Sequence, residues 1–164
     1  MHMVQYKKKN PGEHMRYYED FHIGDTFDLG PLTVTAEEII AFAQQFDPQY
    51  FHIDPQHAKD SIFGGLVASG WHAGALFMRM FFDGVLSKTE SIGSPGLDQV
   101  RWLQPVRPND TLHGRFTVID ARVSQSRPTM GILRSNGEMF NQHNELLMTV
   151  IGIHFVGRRS GEPV

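Results

Sequence analysis

The run Trp71-His72-Ala73-Gly74-Ala75-Leu76-Phe77-Met78-Arg79-Met80-Phe81-Phe82, stopped by Asp83-Gly84, decides the fold. It is a helix that is apolar nearly all round. Such a helix is normally surrounded by protein rather than laid on a surface. At about 13 residues it falls well short of the ~20 that a membrane span requires. Something else in the chain must therefore wrap it. The sequence after it reads as strands. Thr111–Val118 alternates with period two, and Met148–Phe155 does so with more apolar residues on both faces. Weaker strand candidates lie near 97–103 and 129–139, and Pro105, Pro108 and Asn109-Asp110 punctuate a turn between strands.

Before the buried helix the pattern differs. A turn at Gly24-Asp25 precedes a short strand at roughly 26–34. Thr35 and Glu38 form a capping box, and Ile39, Phe42, Ala43 and Phe46 follow on one helical face. Pro48 ends that helix at Asp47 by disfavouring helical geometry there. Asp54-Pro55 reads as a cap with proline at the first helical position, opening a short helix through His57-Ala58-Lys59. The order is strand, helix, short helix, buried helix, then four strands. That is α+β: a curved antiparallel sheet folded round one long buried helix. Strands and helices do not alternate, which disfavours a doubly wound α/β fold.

Composition narrows the chemistry. The 164 residues contain no cysteine, which removes disulfides, thiolate nucleophiles and Cys-based zinc sites. The net charge of −3 carries no footprint for nucleic acid, and Lys7-Lys8-Lys9 is the only basic run. No apolar stretch suits a membrane span or a secretory signal, so the cytoplasm is the expected location. Residues 1–16 are polar and non-periodic and are expected to be a flexible arm, with 17–160 a single domain. No Gly-x-Ser-x-Gly, phosphate-binding loop or dinucleotide motif occurs. No histidine–carboxylate cluster has metal-ligand spacing, so no metal is expected.

The segment Phe46-Asp47-Pro48-Gln49-Tyr50-Phe51-His52-Ile53-Asp54 places a carboxylate and an imidazole five residues apart in a short connection. A carboxylate beside a histidine can fix its tautomer and share proton transfer. Asp47 equally suits a helix-ending turn, and His52 a hydrogen-bonded core histidine. The glycine-containing loop Gly65–Gly70 leads into the N-terminus of the buried helix, with Ser69 as its cap. Free N–H groups there favour negative charge, and glycine admits a ligand close to the backbone, an arrangement suited to an oxyanion. His72 could line a pocket or be a partly buried polar residue with a backbone partner. Trp71 and Trp102 are expected in the core.

These residues resemble the MaoC-like dehydratases, which include the R-specific enoyl-CoA hydratases. The likeness rests on Asp47, Gln49, Tyr50, His52, Asp54 and Pro55, on Ser69-Gly70, on Trp102, Pro105-Val106, Pro108 and Asp110, and on the opening Tyr17–Asp25. It covers roughly 17–156. Gln49 and Tyr50 stand where the family usually has Asn-Pro, Ser69 where it often has His, and Asn109 where it has Gly. These positions adjoin the substrate's place, and no acyl specificity is inferred from them. The resemblance implies a hot-dog fold and a hydro-lyase. Water is added to or removed from the C2–C3 bond of an enoyl or 3-hydroxyacyl thioester. Asp47 and His52 are the implied catalytic pair. Gly70, Ser69, Gly65, Gln49 and Tyr50 are the expected oxyanion and substrate contacts. Coenzyme A enters as part of the substrate, and no cofactor is required. A homodimer, or a dimer of dimers, is implied, with the site near its interface. Two other readings stand beside this one. A hot-dog thioesterase would release free thiol, and a non-catalytic acyl-thioester binding subunit would bind without turnover.

Overall fold

The computed structural model describes residues 15–159. Most of the expected N-terminal arm lies outside that range. Arg16, its last residue, exchanges main-chain hydrogen bonds with Lys88 and Glu90.

Five strands, β1 (Thr26–Thr33), β2 (Ser91–Trp102), β3 (Thr111–Val123), β4 (Met130–Phe140) and β5 (Leu146–Gly157), form one antiparallel sheet in the order β1-β3-β4-β5-β2. Three α-helices intervene between β1 and β2: α1 (Ala36–Phe46), the single turn α2 (Tyr50–Ile53) and α3 (Gly70–Gly84). One long helix against one antiparallel sheet is the hot-dog arrangement. No helix of the described residues is long and apolar enough to cross a membrane.

α1 starts where the capping box places it. Thr35 Oγ1 accepts the Glu38 N–H, and the Glu38 carboxylate accepts the Thr35 N–H at 2.8 Å. Ile39 and Ala43 are its buried side. The Asp54 carboxylate caps the next turn by accepting from Gln56 and His57, and that turn is a 3-10 helix at His57–Asp60. α2 was not legible as an element. One turn has no room for periodicity, and Gln49 offers no side-chain cap.

α3 buries Ala73, Phe77, Met80 and Phe81 against the sheet. Phe81 stacks on Phe116 with ring centroids 4.8 Å apart. Phe77 presses so close to β4 that a Cβ at Gly137 would lie 2.5 Å from its ring. The strand needs a residue without a side chain there. The opposite stripe of α3, Trp71, Ala75, Met78 and Phe82, recurs at helical spacing and is exposed in the single chain. The sheet therefore covers one side of an all-round apolar helix and leaves the other open.

β2 extends six residues before the expected start near 97. Gly93, Pro95 and Gly96 argue against a strand in the sequence, and they are tolerated because β2 is an edge. It pairs only with β5, its register shifts in three places, and both glycines hold positive φ.

Candidate active site

Asp47 is the residue after α1, and its N–H closes the helix on the Ala43 carbonyl. Pro48 turns the chain, and α2 swings His52 inward, where it is 5% exposed. The two side chains meet, with His52 Nε2 3.5 Å from Asp47 Oδ2.

The surroundings fix both groups. His52 Nδ1 lies 2.7 Å from the Val67 carbonyl oxygen. A carbonyl only accepts, so Nδ1 carries the proton and donates it. In the neutral ring Nε2 then bears a lone pair aimed toward Asp47. Asp47 Oδ2 accepts from Ser69 Oγ at 2.6 Å, and Oδ1 accepts from Gln49 Nε2 at 2.8 Å. The Ser69 hydrogen bond is the main cause holding the Asp47 carboxyl below its usual range. Burial opposes it, and Gln49 and His52 assist. Asp47 Oδ2 and His52 Nε2 thus sit side by side at the cavity wall, close enough for one water to touch both.

Ser69 is fully buried, and its hydroxyl is spent: it donates to Asp47 and accepts from the Trp71 N–H, capping α3. It positions Asp47 instead of offering a free group to substrate. Gln49 is likewise held by Asp47, although it lines the cavity. The Gly70 N–H, in the first turn of α3, has no acceptor among the described residues. Asp47, His52 and Gly70 line one cavity of about 420 Å³ together with Trp71, Trp102 and Val106. Tyr50 and Gly65 do not line it. Tyr50 is half exposed and packs edge-on against Phe51.

Two sequence expectations change here. Trp71 and Trp102 are not core residues. They are 68% and 47% exposed and form a T-shaped pair at the cavity's edge. The Trp102 indole lies so close that a Cβ at Gly70 would be 2.8 Å from it. His72 lines no part of this cavity, and its Nδ1 has no partner among the described residues. The ring stacks on Phe42 at 4.5 Å, and burial lowers its pKa. Missed altogether was the Val67 carbonyl that orients His52, because a main-chain oxygen carries no residue signature.

Removing the Ser69 hydroxyl tests the electrostatics. In Ser69→Ala the Asp47 pKa rises toward the ordinary carboxylate value. Carboxyl carbon NMR titration would show the upward shift, and an unchanged midpoint would contradict the assignment. A depressed carboxyl stabilises the fold above its unfolded pKa and loses that contribution as pH falls through the folded one. Acid unfolding of Ser69→Ala therefore begins at a higher pH than in the wild type.

The profile of the family described as "MaoC like domain" matches residues 20–134. The chain belongs to the MaoC-like domain family. Among solved structures it is similar to a MaoC-like dehydratase from Rhodospirillum rubrum, at 37% identity and a TM-score of 0.79 over 91% of this chain and 99% of that one. Among curated proteins it is 30% identical to the uncharacterized protein YdeM of Bacillus subtilis over 76% of this chain and 86% of that protein. It is 27% identical to the mesaconyl-CoA hydratase of Cereibacter sphaeroides over 93% of this chain and 43% of that longer protein.

Proposed function

We propose that the protein hydrates an enoyl thioester, or dehydrates the 3-hydroxyacyl thioester in reverse, with coenzyme A as the acyl carrier. The observation that carries this reading is the Asp47–His52 pair, oriented from behind by Ser69 and Val67 and facing one cavity with the Gly70 N–H. Water held against both Asp47 Oδ2 and His52 Nε2 from the cavity side attacks C3. The C2–C3 π electrons move toward the thioester, and its oxygen takes up enolate charge beside the Gly70 N–H. One such donor commonly contributes about 3 kcal/mol. The proton released by the water passes to the Asp47–His52 pair, and C2 receives one from that pair as the enolate collapses. Protons balance and no redox partner is needed. Relatives that bear the names dehydratase and hydratase support the same class.

The test mixes purified protein with crotonyl-CoA and follows the conjugated enoyl absorbance. The expected result is loss of absorbance without release of free thiol. Thiol release would identify a thioesterase instead. Binding of several acyl-CoA esters without turnover would leave only a binding subunit.

The same proposal includes a homodimer. Trp71 meets Trp102 edge-on, Met78 and Leu97 lie around the same depression, and these residues are exposed, as is Phe82 further along α3 beside the free edge of the sheet's β2 side. Together they make an apolar surface of the kind that marks an interface. Light scattering is expected to give twice the chain mass, and Leu97→Asp to shift the protein toward monomer. A monomeric wild type at working concentration contradicts this.

A further inference from the structure

A second cavity, of about 450 Å³, lies beyond the Trp71–Trp102 pair, between α3 and the β4-β5-β2 side of the sheet. Both tryptophans line it as well as the first, so they stand between the two. Its walls are largely apolar, and no charged side chain lines it. Set into this wall is a histidine–serine pair that the proposed reaction does not use. His154 on β5 and Ser135 on β4 place Nε2 and Oγ 2.8 Å apart. The ring lies over Gly152, where a Cβ would come within 2.9 Å of Nε2, and it packs against Phe81 and Phe116. Nδ1 has no partner among the described residues. Unlike His72 Nδ1, it is not sealed from space, and the space His154 borders is the cavity. Burial pushes the His154 pKa down to about 4, so the ring is neutral near pH 7.

An apolar cavity satisfies a hydrocarbon and leaves an idle ring nitrogen unpaired, which costs binding. A charged group there would find no counter-ion. The Gly70 N–H and the Phe81 level of the helix, where His154 sits, are separated by about 16 Å along α3 at 1.5 Å per residue. That is the span of a long acyl chain of the dodecanoyl class. We propose that the His154–Ser135 pair is a second recognition point, selecting an acyl chain that carries an uncharged hydrogen-bonding group, a hydroxyl, toward its far end. This inference rests on the acyl-thioester reading of the first cavity.

The test compares the binding of dodecanoyl-CoA and 12-hydroxydodecanoyl-CoA by tryptophan fluorescence, since Trp71 and Trp102 flank both cavities and neither ligand needs to react. The wild type is expected to prefer the hydroxylated ester. In His154→Leu the ratio of the two dissociation constants is expected to fall about tenfold, the worth of one hydrogen bond in a buried site. Should that variant not fold, His154→Phe preserves the ring packing between Phe81 and Phe116 and carries the same expectation. Equal binding of the two esters by the wild type, or a preference that survives in a folded variant, overturns the proposal. Hydration of crotonyl-CoA by the wild type is measured separately. Failure with crotonyl-CoA and with dodec-2-enoyl-CoA alike would sink the hydratase reading, while the binding ratio would still decide the role of His154.

Discussion

Asp47→Asn is expected to lower the rate of enoyl-thioester hydration by about 10²–10⁴-fold, the usual worth of a positioned acid–base group. The substitution keeps the shape of the side chain. An asparagine with its oxygen toward Ser69 still accepts from that hydroxyl, and the Gln49 amide can turn over to accept from the new N–H. What disappears is the anion 3.5 Å from His52 Nε2. The melting temperature should therefore move little while turnover collapses. A variant within a few-fold of wild-type activity would remove Asp47 from the mechanism. One that melts far below wild type would assign Asp47 a mainly structural role.

Phe77→Ala is expected to destabilise the fold by about 3–5 kcal/mol. Phe77 is almost fully buried at the centre of α3, and the residue facing it across the core is Gly137. A void opened against a glycine has no opposing side chain to relax into it. The loss should therefore sit at the upper end of that range. For a chain of this size it corresponds to a fall in melting temperature of roughly 10 °C or more. A thermal melt followed by circular dichroism checks it, and a shift of only a degree or two would show that the core does not depend on this ring.

Local signals in the sequence were reliable where a side chain acts on its own neighbourhood. Thr35 and Glu38 marked the start of α1, and Pro48 marked its end beside Asp47. Asp54 announced the turn at 57–60. The spacing of Asp47 and His52 showed that they could meet. It could not show that Ser69 and Val67, 22 and 15 residues away from their respective partners, would fix their roles. Those contacts are made by tertiary folding. One of them uses a backbone carbonyl that any residue would supply. The tryptophans were misplaced for a related reason. An all-round apolar helix does not say which face the sheet covers, so Trp71 looked as much like core as Phe77 did.

The irregular first half of β2 also bears on colloidal behaviour. A long, flat edge strand is a template on which further chains can grow by backbone pairing. Here the ladder with β5 breaks between Ser91 and Gly93, between Gly93 and Gly96, and between Leu97 and Gln99. Pro95, inside that stretch, has no N–H to offer a newcomer. The longest stretch in unbroken register runs from Gln99 to Trp102, too short to nucleate a stable stack. The same glycines and proline that hid this strand from a reader of the sequence protect the free chain from fibrillar self-addition along its open edge.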